Sequence, residues 1–103
     1  MNTYHQEAAV WHKGQAKMYR TRLSKLLGGG KECVDTVSRL KGISEKDLRR
    51  MAEAEQQLLT DEVIQDTRWW IEAEERNVAE AEAGTMVPVV DLFRGRCAQF
   101  AEA

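Results

Sequence analysis

Residues 44–83 read SEKDLRRMAEAEQQLLTDEVIQDTRWWIEAEERNVAEAEA, and this stretch decides the fold. Almost every residue in it favours a helix, and no proline or glycine interrupts it. Apolar residues recur in it at helical spacing, as at Val63, Trp70 and Val78. The sequence therefore predicts a long central helix over about 44–83.

Both ends of this helix are marked, but the apolar pattern is not continuous along it. Ser44 can cap the N-terminus, and Gly84 ends the run. The apolar arcs before and after Thr60 do not align at about 100° per residue. This mismatch favours a bend near Thr60 and leaves open whether the stretch forms one helix or two.

Shorter helices are predicted on either side of the central one. A first helix should run over about 3–27 and end at the glycines 28–30, which enter left-handed conformations at little cost. A second helix should span 31–41 and end at Gly42, and a last one should cover about 88–100. The buried face of the first helix is expected to hold Tyr4, Ala8, Trp11, Met18, Tyr19, Leu23 and Leu26.

These elements define the fold class. The chain has 103 residues, of which 43% are hydrophobic and 31% charged, and this suits one domain over residues 1–103 with a core of its own. We predict an all-α protein, a small helical bundle of four or five helices with a long central helix that is straight or bent.

Charge is divided unevenly between the two halves of the sequence. Residues 1–50 carry eleven Lys/Arg against five Asp/Glu, whereas residues 51–103 carry four against twelve. One interpretation is two solvated helix faces that attract one another on folding. The other is a functional patch, either basic for an acidic partner or acidic in imitation of nucleic acid.

Several classes of function find no support in the residues. No apolar run is long enough to cross a membrane, no signal peptide is apparent, and Cys33 and Cys97 lie far apart, so we expect a cytoplasmic protein with no membrane partner. His5 and His12 are two helical turns apart, too far to share an ion, and no metal site is predicted. Cys33 is interpreted as structural, although folding could bring a histidine to it. We therefore predict no cofactor and no enzymatic activity.

Trp69 and Trp70 are the most informative pair of residues. Trp70 falls within the apolar arc of the central helix, whereas Trp69 projects toward the polar side. An exposed tryptophan leaves a large apolar area in water, and tryptophan and arginine are enriched at interface hot spots. Either a partner protein covers Trp69, or the last helix of the same chain does. The predicted partner-binding face consists of Glu62, Gln65, Trp69, Glu72, Ala73 and Arg76.

Glu74 falls inside the apolar arc of the same helix, where an unpaired carboxylate is costly to bury. Arg22 falls within the apolar arc of the first helix. We therefore expect Glu74 to form an ion pair with a basic residue of the first helix, such as Arg22.

An alternative function, nucleic-acid binding, rests on the basic N-terminal half. Residues 23–42 are predicted to form a helix, a glycine turn and a second helix, and Lys25, Lys31, Arg39 and Lys41 would contact the nucleic acid. Two features oppose it: the turn is long and all-glycine, and the sequence pI near 5.7 is low for a dedicated nucleic-acid binder.

The favoured function is protein–protein interaction without catalysis, as an adaptor, assembly factor or inhibitor that acts through a helical surface. A thin core in a small chain also favours self-association, so we expect a homodimer. The alternative is a small DNA-binding regulator. In size, composition and helix content the chain is like small accessory proteins of phages and bacterial mobile elements, which is an analogy only.

Overall fold

The computed structural model describes residues 3–85, and all of their regular structure is helical. Four helices follow one another: α1 (Thr3–Gly28), α2 (Gly30–Lys41), α3 (Glu45–Arg50) and α4 (Glu53–Ala83). The predicted all-α bundle with one long helix is thereby confirmed. The helix predicted over 88–100, with Cys97, lies outside the described residues.

The two long helices, α1 and α4, lie side by side and run in opposite directions. Lys13 Nζ lies 2.7 Å from Glu82 Oε1, and Arg20 Nη2 lies 2.6 Å from Glu75 Oε1. The residue number on α4 falls as the number on α1 rises, which defines an antiparallel hairpin. All four side chains are more than half exposed, so these ion pairs contribute little stability.

Small side chains are buried along the α1–α4 hairpin. Ala9 and Ala16 of α1 and Ala81 of α4 are all buried. Small residues let two helices approach closely, and the bulky side chains of α1 are then left outside the contact. The predicted burial of Trp11 and Met18 is therefore wrong, because these side chains are 59% and 43% exposed.

A partly shielded pair of polar side chains joins the same two helices. His12 Nδ1 lies 2.5 Å from Glu74 Oε2, and the side chains are only 15% and 8% exposed. The expected Arg22–Glu74 pair is wrong, because Arg22 lies ten residues further along α1 than His12, about 15 Å by helical rise. The contact therefore fixes which turn of α1 faces which turn of α4.

One hydrophobic core joins all four helices at the end of the hairpin where α1 ends and α4 begins. It contains Leu26 of α1, Cys33 and Val37 of α2, Leu48 of α3 and Val63 of α4. The short helices α2 and α3 are held by this core and close that end of the hairpin. Partly buried residues that pack against it are Val34, Ile43, Met51, Leu59 and Ile64.

Glycines and a serine mark the ends of the short helices. Gly29, between α1 and α2, has φ 69° and ψ −164°, a conformation that is essentially restricted to glycine. Gly42 ends α2 in the left-handed region. The Ser44 hydroxyl caps α3 by accepting from the Asp47 N–H at 3.1 Å. The predicted end of the first helix at the glycines 28–30 is confirmed, and so are the predicted caps at Gly42 and Ser44.

The stretch 44–83 is broken at residues 51–52, so it forms two helices, and the bend expected near Thr60 is wrong. Met51 and Ala52 have extended backbones, with ψ of 155° and 145°. Gln56 Nε2 donates to the Met51 carbonyl at 2.8 Å, which satisfies an acceptor near the end of α3. Thr60 lies inside α4, where its hydroxyl donates to the Gln56 carbonyl at 2.9 Å.

The helices together form a thin slab. The Cα atoms span 50 × 35 × 16 Å, so the shortest dimension is little more than that of one pair of packed helices. Large apolar side chains consequently remain exposed on its faces.

Two glycines with different backbone conformations test the α1–α2 turn. Gly29→Ala should lower the free energy of unfolding by about 1–2 kcal/mol, because alanine is strained at this positive φ. Gly14→Ala, the matched control inside α1, should raise it by about 0.5–1 kcal/mol. An added Cβ would meet no atom within 4 Å at either site, so packing does not enter the comparison. Urea unfolding measures both values, and changes of the same sign would contradict the assigned turn.

Loss of His12 should destabilise the hairpin. His12→Ala leaves the buried Glu74 carboxylate without its partner, and we expect the free energy of unfolding to fall by about 3 kcal/mol. The control Glu75→Gln breaks the exposed pair with Arg20 and should cost under about 1 kcal/mol. Urea unfolding followed by circular dichroism gives both losses. A His12→Ala loss no larger than the control would mean that this contact does not anchor the hairpin.

Candidate interaction surface

The outer side of α4 presents the residues that the sequence predicts to bind a partner. Trp69 is 59% exposed. One end of this face is tied to α2, because Lys41 Nζ donates to Glu62 Oε2 at 2.7 Å. Of the remaining predicted residues, Ala73 is half-buried, and those open to solvent are Glu62, Gln65, Glu72 and Arg76.

Trp70 lies at the rim of the hairpin, which corrects its predicted place in the core. It is 43% exposed and stacks on Tyr19 of α1, with ring centroids 5.8 Å apart and planes at 15°. Trp69 meets it edge to face, at 4.9 Å and 88°. Because small residues bring α1 and α4 close together, a bulky indole is displaced to the edge of the contact. We call Tyr19, Trp69 and Trp70 the aromatic cluster.

Arg22 and Leu40 extend the aromatic cluster toward α2. The guanidinium carbon of Arg22 lies 5.1 Å from the centroid of the Tyr19 ring, a cation–π distance. Leu40 is 43% exposed and lines a cleft of about 180 Å³ together with Arg22 and Trp70. The cleft is bordered by α1, α2 and α4, and Lys41, Asp66 and Thr67 give its lining a mixed polar and apolar character.

Two of the four residues predicted to bind nucleic acid lie in one groove. Lys25 of α1 and Arg39 of α2 line a groove of about 480 Å³, together with Lys17 and Arg22 of α1. No acidic side chain of the described residues belongs to its lining. We call this feature the basic groove.

The other two predicted residues lie elsewhere. Lys41 is bound to Glu62 and lines the cleft beside Trp70, while Lys31 is exposed outside the basic groove. Lys17 was missing from the predicted set, although its spacing from Thr21 and Lys25 places all three on one helix face. That spacing could have identified Lys17 from the sequence.

The cysteine and histidine residues do not form a reactive group within residues 3–85. Cys33 is a buried free thiol that belongs to the hydrophobic core. It lines a groove of about 560 Å³ whose described walls include neither His5 nor His12. Among the described side chains, no three of His, Cys, Asp or Glu lie close enough to hold one metal ion. None of the helices in this part of the chain is long and apolar enough to cross a membrane.

Comparison with known proteins gives no relative: no family model, curated protein or solved structure matches this chain. A helical fold alone does not specify a function. Within residues 3–85, two surfaces are the candidates for function: the outer face of α4 with the aromatic cluster, and the basic groove between α1 and α2.

The two tryptophans should differ in their contribution to stability. Trp70→Ala removes the stacking contact with Tyr19 that links α1 to α4, and it should lower the free energy of unfolding by about 1 kcal/mol more than Trp69→Ala. Urea unfolding of both variants measures the difference, and near-ultraviolet circular dichroism reports the loss of the stacked rings. Equal losses would contradict the assignment of Trp70 as the contact between the helices.

Proposed function

We propose that this chain is a non-enzymatic protein–protein interaction protein, an adaptor, assembly factor or inhibitor that binds through the outer face of α4 and the aromatic cluster. The observation that carries the proposal is the exposure of two tryptophans in mutual contact, Trp69 at 59% and Trp70 at 43%. Burial of apolar surface contributes roughly 25 cal/mol per Å², so covering Trp69 should stabilise a complex by on the order of 2–3 kcal/mol.

The residue types around the tryptophans suit an interface. Glu62, Glu72 and Arg76 are exposed on the same helix and would form a charged rim. Charges at a rim steer the encounter and set its register more than they add affinity. Arg22, placed over the Tyr19 ring, adds an arginine beside the aromatic cluster, and arginine and aromatic residues are those that hot spots favour.

The partner we favour is a second copy of the chain. The described part of the chain is thin, and Leu58 on α4 and Leu40 on α2 are also exposed, at 60% and 43%. A twofold interface would place the same face of each copy against the other and cover both. We further propose that the homodimer works in the cytoplasm, where a free thiol such as Cys33 stays reduced.

Trp69→Ala should weaken self-association at least tenfold while helix content stays unchanged, because the residue is removed from an interface and not from the core. Sedimentation velocity over a concentration series measures the association, and far-ultraviolet circular dichroism measures the helix content. Trp11→Ala is the matched control, since Trp11 has the same 59% exposure on α1. It should change the association little.

Three outcomes would count against the proposal. Unfolding of the Trp69→Ala monomer would place Trp69 in the core and remove the main support. Equal weakening by Trp11→Ala would indicate unspecific apolar association. A protein that stays monomeric at every concentration would exclude the homodimer, and a photo-crosslinker at position 69 that captures no defined protein in cells would then exclude another protein partner.

A further inference from the structure

The cations of α1 and α2 fall into two groups, apart from Lys31, which forms no ion pair with a described residue and lies outside the basic groove. Lys13, Arg20 and Lys41 each lie within 2.7 Å of an acidic side chain of α4. A second group forms no ion pair with any described residue, and all of its members line the basic groove: Lys17, Arg22, Lys25 and Arg39. The fold therefore neutralises one flank of α1 and leaves the other flank positive.

The basic groove has the length and the donors for several phosphate groups. Lys17 and Lys25 are eight residues apart on α1, about 12 Å by helical rise. Consecutive phosphates of one DNA strand are about 3.4 Å apart along the duplex axis, so a groove aligned with that axis passes about four phosphates over this distance. Arg22 and Arg39 add guanidinium groups, whose forked donors suit phosphate oxygens.

We propose that the basic groove binds the phosphate backbone of a nucleic acid through Lys17, Arg22, Lys25 and Arg39. The contact would be to the backbone and not to base edges, which distinguishes it from a recognition helix formed by residues 31–41. The groove is formed by α1 and α2, whereas the proposed protein interface centres on Trp69 of α4, and the two surfaces meet at Arg22.

The neighbourhood of Arg22 favours a nucleic acid over an acidic protein segment. Arg22 borders both the basic groove and the aromatic cluster, where Tyr19 and Trp70 lie next to it. A strand whose phosphates follow the groove could stack an unpaired base on an exposed ring of this cluster. Cationic grooves beside aromatic rings are the usual arrangement for single strands.

Fluorescence anisotropy with a short labelled single strand, and with the duplex of the same sequence, tests the proposal on the full chain. Four phosphate contacts predict that affinity for duplex falls about 100-fold between about 50 and 200 mM salt. The double variant Lys25→Gln with Arg39→Gln keeps half of the contacts, so the same change of salt should lower its affinity only about 10-fold.

A matched control separates the groove from overall charge. Lys46→Gln with Arg49→Gln removes the same charge from α3, outside the groove lining, and should leave the salt dependence unchanged. Trp69→Ala should leave duplex binding unchanged, because a duplex offers no unpaired base to the aromatic cluster, so backbone binding by the groove and the proposed protein interface can fail independently. Circular dichroism verifies that every variant retains its helix content.

Several results would overturn the proposal. The first is that neither nucleic acid binds at about 50 mM salt. The second is that the two double variants lose equal affinity for nucleic acid. Binding of polyglutamate but of neither nucleic acid would assign the groove to an acidic protein segment. Tighter binding of the single strand would support stacking on the aromatic cluster, and equal binding of the two would support backbone contact alone.

Discussion

The close approach of α1 and α4 is the constraint on which the rest of the structure depends. Ala9, Ala16 and Ala81 are small enough to let the two helices pack closely, and the His12–Glu74 contact sets their register. A carboxylate with 8% of its side chain exposed requires a partner, so this register is favoured over shifts that would leave Glu74 unpaired.

The same register decides which bulky side chains become surface. With His12 against Glu74, the rings of Tyr19 and Trp70 meet at the edge of the hairpin and stack at 5.8 Å. Within the described helices, the core that holds α2 and α3 lies at one end of the hairpin, where Leu26 and Val63 are buried. Trp11, further from that end on α1, has no comparable cover among the described residues.

Local chemistry made much of the fold predictable from the sequence. Gly29, Gly42 and Ser44 set helix ends through their own backbone or hydroxyl group, so the ends could be predicted without knowledge of the packing. The buried face of α1 could not be predicted in this way. A periodic pattern points to the large apolar residues, whereas the close packing of α1 against α4 buries alanines. The break at 51–52 is accompanied by a specific contact from Gln56, which a periodic pattern does not contain.

The two candidate surfaces can be predicted from the sequence to different degrees, because one is a property of a single helix and the other depends on how two helices pack. A helical wheel places Trp69 outside the apolar arc, and its exposure is a property of α4 alone. The basic groove requires Arg39 of α2 to come beside Lys25 of α1, and only the tertiary structure specifies that arrangement. Arg22 was misassigned because its partner depends on the register of the hairpin.

Both surfaces raise the free energy of the isolated chain, and each would be stabilised by a different kind of ligand. Four cations that converge in one groove repel one another, and no described acidic residue lines that groove to offset the repulsion. Two exposed tryptophans leave apolar area in water. Negative charge would stabilise the basic groove, and apolar contact would stabilise the exposed tryptophans. One small ligand therefore does not stabilise both surfaces. The two proposals therefore call for two different ligands, one apolar and one anionic, whose binding sites meet at Arg22.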